Sequence, residues 1–112
     1  MIPVCRIEDL PEGESVRIEA GDSHAAIAVF HTEGAFYAVD DTCSHQDASL
    51  SEGWLEGCYV ECPLHAALFD LRSGMPTCLP ARKPVRTHAV TVVDGLLYVH
   101  PLVPAAQEEA VA

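Results

Sequence analysis

Two short motifs, Cys43-Ser44-His45 and Cys62-Pro63-Leu64-His65, constrain this chain more than any other feature of it. Each sets a thiolate donor within two or three positions of an imidazole donor, and sixteen residues separate the two pairs. So short a step lets one tight loop present both donors. The intervening segment must then carry a second loop back to face the first.

The donor types narrow what those loops can hold. Two cysteines and two histidines suit a [2Fe–2S] cluster in which the thiolates bind one iron and the imidazoles the other. Four thiolates would pile negative charge on such a cluster and make reduction costly. Two neutral imidazoles relieve that charge and lift the potential toward roughly −150 to +300 mV. The same four donors also form a tetrahedral Cys2His2 zinc set, so a zinc-stabilised interaction module is the alternative. Zinc fingers usually keep like ligands together, whereas each motif here mixes them, which favours iron–sulfur.

The run C-S-H-Q-D-A-S-L-S-E-G, followed by C-Y-V-E-C-P-L-H and F-D-L-R-S-G, resembles the Rieske-type [2Fe–2S] ferredoxins of bacterial aromatic-ring-hydroxylating dioxygenase systems. The resemblance extends from Val4 to about His100. It implies that Cys43 and Cys62 bind one iron and that His45 and His65 bind the other through Nδ1. It further implies a one-electron carrier rather than an enzyme, working between a flavin-dependent NAD(P)H reductase and a terminal oxygenase in aromatic hydrocarbon catabolism; the alternative within the family is a Rieske ferredoxin serving a different oxygenase or reductase system. High-potential relatives carry an extra cysteine in each loop and bridge the two. The matching positions here are Ala48 and Leu64, so no such disulfide can form.

A chain of 112 residues, 49 % of them hydrophobic, can bury one modest core. The expectation is a single domain over residues 1–102, a cluster-binding subdomain over about 42–80, and a frayed tail over 103–112. A catalytic oxygenase domain does not fit in this length, and no further pair of histidines with a carboxylate stands ready for mononuclear iron. The start, MIPVCRIEDL, lacks a basic segment and an apolar run of signal-peptide length, and no stretch approaches a membrane span. These features predict a soluble, cytoplasmic monomer. Seventeen acidic residues against six basic ones give a net charge of −11, which disfavours nucleic acid and anionic membranes. Carboxylates near the motifs could instead steer basic docking surfaces.

Strand-like runs occur at Pro3–Ile7, Ser15–Glu19, Ala25–His31, Ala35–Asp40, Cys58–Glu61, Ala67–Leu71, His88–Val93 and Leu96–His100. Turn dipeptides such as Glu33-Gly34 and Asp94-Gly95 separate them. This density of short strands predicts an all-β fold, a small antiparallel sandwich or barrel with an inserted cluster-binding subdomain. The second motif then sits between two strands, which hold loop geometry firmly.

Other residues carry weaker signals. Pro63 stiffens the second loop, and Met75-Pro76, Leu79-Pro80 and Pro84 resemble the proline-containing segment that covers the cluster in this family. Where higher-potential members carry a glycine, a serine and a tyrosine after the second motif, this chain has Ala66, Ala67 and Phe69. None has a side-chain donor for cluster sulfur, so a low potential is expected. His24, His31, His88 and His100 read as hydrogen-bonded or solvated strand residues, Trp54 as a packing residue, and Cys5, Cys58 and Cys78 as ordinary core or loop thiols.

Overall fold

The run Ile27-Ala28-Val29-Phe30 is buried at every position, which an amphipathic strand with one wet face cannot achieve. Both of its faces must be covered. The computed structural model, which describes residues 2–21, 24–42, 49–62, 68–76 and 85–101, shows what covers them.

Among the described residues nine strands follow one another: β1 (Ile2–Arg6), β2 (Ser15–Ile18), β3 (Ile27–Thr32), β4 (Ala35–Asp40), β5 (Trp54–Glu56), β6 (Tyr59–Glu61), β7 (Leu68–Asp70), β8 (Thr87–Val93) and β9 (Leu96–His100). Short 3-10 turns occupy Ile7–Asp9 and Leu50–Glu52. Six strands form one antiparallel sheet in the order β1-β9-β8-β4-β3-β2, curled into a nearly closed barrel. A second antiparallel sheet has the order β5-β6-β7. Strands β4 and β8 pair directly, Ala38 with His88 and Val39 with Thr87, so the small sheet is inserted between two neighbours of the large one. The all-β class with an inserted small sheet is the architecture expected.

Alternation on β3 and β4 divides the interior in two. Ile27, Val29 and Ala38 face a core shared with Leu10, Leu97 and Val99 inside the barrel. Ala28, Phe30 and Val39 face the opposite way, into a second core with Leu50, Val60, Cys62, Phe69, Leu71 and Val85. The inserted sheet therefore seals the outer side of β3 and β4. Its own strands alternate in register, with Leu55, Val60 and Phe69 aligned inward and Trp54, Glu61 and Leu68 aligned outward.

Two hairpins turn at the expected dipeptides. Glu33 and Gly34 have φ of 53° and 75°, and Asp94 and Gly95 have 52° and 78°, the left-handed pair that matches strand twist in a two-residue turn.

Three expectations need correction. Strand β5 lies in a segment that read only as a link between the motifs, because Trp54-Leu55-Glu56 offers a single apolar residue to the periodicity. Trp54 is not a packing residue: it is 59 % exposed, on the solvent side of the small sheet. His24 lies outside any strand.

Candidate metal centre

The second motif begins where β6 ends. Cys62 directly follows Glu61, is completely buried in the outer core, and forms no disulfide. Beyond it, the chain resumes at β7, whose Leu68 pairs with Glu61. The described ends of the second loop, Cys62 and Leu68, are therefore held at adjacent positions of the small sheet. His65, with Pro63, Ala66 and Ala67, lies outside the described residues.

The first motif leaves from the end of β4. Cys43 and His45 lie outside the described residues, as does Ala48, but both ends of their segment are described, at Thr42 and Ser49, and form an isolated antiparallel bridge. Asp41 fastens this closure. Its amide donates to the Ala26 carbonyl at 2.9 Å, and its carbonyl accepts from the Leu50 amide at 2.7 Å. Its carboxylate accepts from the Ser49 hydroxyl at 2.5 Å and the Ser51 amide at 2.9 Å. Asp41 is 1 % exposed, and the Arg17 guanidinium on β2 lies 3.5 Å from its Oδ2. Ser15 on β2 adds a hydroxyl bond to the Ser51 carbonyl at 2.9 Å. Sequence reading missed this strap. Its signal was an acidic residue and two serines, Asp41, Ser49 and Ser51, flanking a loop, residue types that bond readily to nearby backbone.

The two loop stems touch. Gly53, which ends the turn after the first loop, lies so close to Glu61 that an added methyl group would overlap the Glu61 carbonyl oxygen. Glu61 immediately precedes Cys62, so the base of one loop is seated on the base of the other. On the far side Gly74, at φ +78°, packs against the Val85 carbonyl with equal tightness, and the Val85 amide donates to the Gly74 carbonyl at 2.8 Å. This pins the chain after β7 to the approach to β8. Within it, Asp70 accepts from Arg72 at 3.0 and 3.2 Å, and that hydrogen bond holds Asp70 below the usual carboxylate range.

A buried thiol and a fastened loop stem seated on the residue before it fit a centre held between two loops. Among the described residues, which include only Cys62 of the four expected donors, no group of three or more potential ligands gathers. The remaining histidines have ordinary partners: His24 with the Ala25 carbonyl, His31 with the Leu10 carbonyl, His88 with Asp40, and His100 with Thr91. Cys5 and Cys58 are half-buried free thiols, as expected, with burial pushing Cys5 upward. Cys78 lies outside the described residues, as do Leu79, Pro80 and Pro84 of the proline-containing segment. No helix among the described residues is long and apolar enough to cross a membrane.

Comparison with known proteins agrees with this geometry. Residues 1–89 match the Rieske [2Fe-2S] domain family. The chain is 50 % identical over 97 residues to the 3-phenylpropionate/cinnamic acid dioxygenase ferredoxin subunit of Photorhabdus laumondii subsp. laumondii, covering 86 % of this chain and 90 % of that one. Among solved structures, it matches a chain from the complex of reduced oxygenase and oxidized ferredoxin in carbazole 1,9a-dioxygenase. The TM-score there is 0.83 at 38 % identity, over 88 % of this chain and 100 % of that one. The Sphingomonas yanoikuyae B1 ferredoxin matches with a TM-score of 0.82 at 29 % identity, over 90 % and 98 % of the two chains. With its loop stems joined beside a buried cysteine, its barrel and its sequence in agreement, the chain belongs to the Rieske [2Fe–2S] family, among the ferredoxin subunits of bacterial dioxygenases.

Proposed function

We propose that this protein is the one-electron carrier of an aromatic-ring-hydroxylating dioxygenase system, with Cys43 and Cys62 binding one iron of its cluster and His45 and His65 the other. The observation that supports this reading is the seating of the first loop's stem on the residue before Cys62, because it joins the described ends of the two motif-bearing segments. When bound, the cluster takes up and releases a single electron at a potential set by its mixed ligands.

The protein's own groups do the rest. Cys62 anchors the iron side from the buried end of β6, where surrounding apolar side chains exclude water. His45 and His65 would hold the other iron, and their imidazoles would be the exit point for the electron toward a partner. Residues 42–80 act as the cluster-binding subdomain, and residues 1–102 as one domain with a tail beyond. A flavin-dependent NAD(P)H reductase loads the carrier, which then dissociates and meets the terminal oxygenase; the carbazole dioxygenase relative is known in complex with an oxygenase. The carrier works as a cytoplasmic monomer, and oxygen activation belongs to the oxygenase.

Reconstitution tests the reading. With a dioxygenase-type reductase, NADH and oxygenase, product should form only when this protein is added and should vanish with the Cys62→Ser variant. Equal turnover without it would refute the carrier role.

A further inference from the structure

We propose that Asp41 is a positioning residue for the first cluster-binding loop, setting the width of its mouth and thereby the placement of the donors it carries. This rests on the reading of Cys43 and His45 as ligands.

The turn Leu50–Glu52 needs a partner for its free amide at Ser51. The residue best placed to supply one locally is Ser49, at the cap position, yet its side chain makes no capping bond. Its hydroxyl instead turns back across the mouth of the loop to the Asp41 carboxylate, at 2.5 Å, while sharing a 2.8 Å hydrogen bond with the Ser51 hydroxyl. The amide of Ser51 is satisfied by the other oxygen of that carboxylate, at 2.9 Å. The capping role has thus been moved from a neighbour in sequence to the opposite side of the loop. A group that only stabilised the turn would have no reason to span it.

Main-chain bonds complete the device. Asp41 holds Leu50 through its carbonyl and Ala26 through its amide, so one residue is tied to β3's approach and to the far end of the loop. With two hydrogen bonds to its oxygens and the Arg17 guanidinium 3.5 Å away, the buried carboxylate is well satisfied, and the two main-chain bonds leave the residue little freedom to move. The distance between Thr42 and Ser49 is consequently fixed by side-chain chemistry as well as by their single backbone bridge. Groups that orient ligands from behind commonly govern metal retention as strongly as some ligands do.

The test compares Asp41→Asn and Ser49→Ala with Thr32→Ala in full-length protein. Thr32 serves as control because its hydroxyl makes a comparable bond, 2.7 Å to the Gly57 carbonyl, at the other end of the small sheet. Iron and sulfide content, the reduced-state EPR g values and the half-life of the visible chromophore under a chelator are measured for each. Ser49→Ala, which keeps the buried charge, should shift the g values and shorten the half-life roughly tenfold. Asp41→Asn should do the same or more, while Thr32→Ala lowers the melting temperature and leaves both spectrum and half-life at the wild-type values. Wild-type spectra and half-lives in Ser49→Ala and Asp41→Asn, with only a lowered melting temperature, would overturn the proposal. If Asp41→Asn fails to fold, Ser49→Ala alone decides. A wild-type protein without iron and sulfide would instead overturn the ligand reading underneath it.

Discussion

At Cys62 a thiol is removed entirely from solvent directly after the end of a strand, a place where an ordinary apolar side chain would pack as well. Replacing it with serine should keep most of the fold and lose the cluster, seen as iron and sulfide falling to a small fraction of wild type. Gly53 is constrained differently. Its φ is −81°, within reach of any residue, and its requirement is space against the Glu61 carbonyl. Gly53→Ala should therefore push the two loop stems apart, lowering stability and cluster retention together in chelator and urea titrations. The potential follows from donors that are missing. Phe69 is fully buried and carries no hydroxyl, and Ala67, outside the described residues, has none either. Voltammetry should place the midpoint near the low end of the Rieske range, roughly −150 mV, and Ala67→Ser should raise it. A wild-type value well above zero would contradict this. At this scale the sequence proposes the donors, because ligand chemistry is encoded in residue type, and of the four only Cys62 lies among the described residues. It concealed Asp41, whose role depends on a chain reversal that brings Ser49 and Ser51 beside it.

The small sheet shows the same contrast between its two sides. Inward, Leu55, Val60 and Phe69 share the outer core, and Phe69→Ala should cost about 3–5 kcal/mol in urea unfolding. Outward, Trp54 stands exposed beside Glu61, and Trp54→Ala should change stability by no more than about 0.5 kcal/mol. Asp70 adds a pH dependence of known sign. Because Arg72 lowers its pKa in the fold, its contribution is complete above the ordinary value of about 3.9 and is lost as pH falls through the lowered one. The difference in urea midpoint between wild type and Asp70→Asn should accordingly shrink on going from about pH 7 to about pH 3. Most strands were legible here, because β3, β4, β8 and β9 carry long apolar or alternating runs closed by glycine turns. Strand β5 was not: its three residues owe their conformation to pairing with β6, and their pattern is too short to announce it.

For the whole molecule, the decisive feature is the insertion of one sheet between paired strands of another. The barrel supplies β4 and β8 as fixed neighbours, the inserted sheet covers the outer face of β3 and β4, and the contact between loop stems lies within that cover. Alternation told which residues face inward but not that β3 would be covered twice; that depended on the long-range pairing of β4 with β8. The charge of −11 surrounds this framework with carboxylates, so association with basic partner surfaces should weaken with added salt. The electron-transfer rate at limiting protein should fall with ionic strength, and salt-insensitive kinetics would count against such steering. The central claim is the cluster itself. EPR spectra of the purified protein before and after dithionite, with iron and acid-labile sulfide counted on the same sample, test it most directly. A signal that appears only on reduction, with the low average g of a histidine-ligated cluster, is the predicted result; a colourless, EPR-silent protein containing zinc would contradict it.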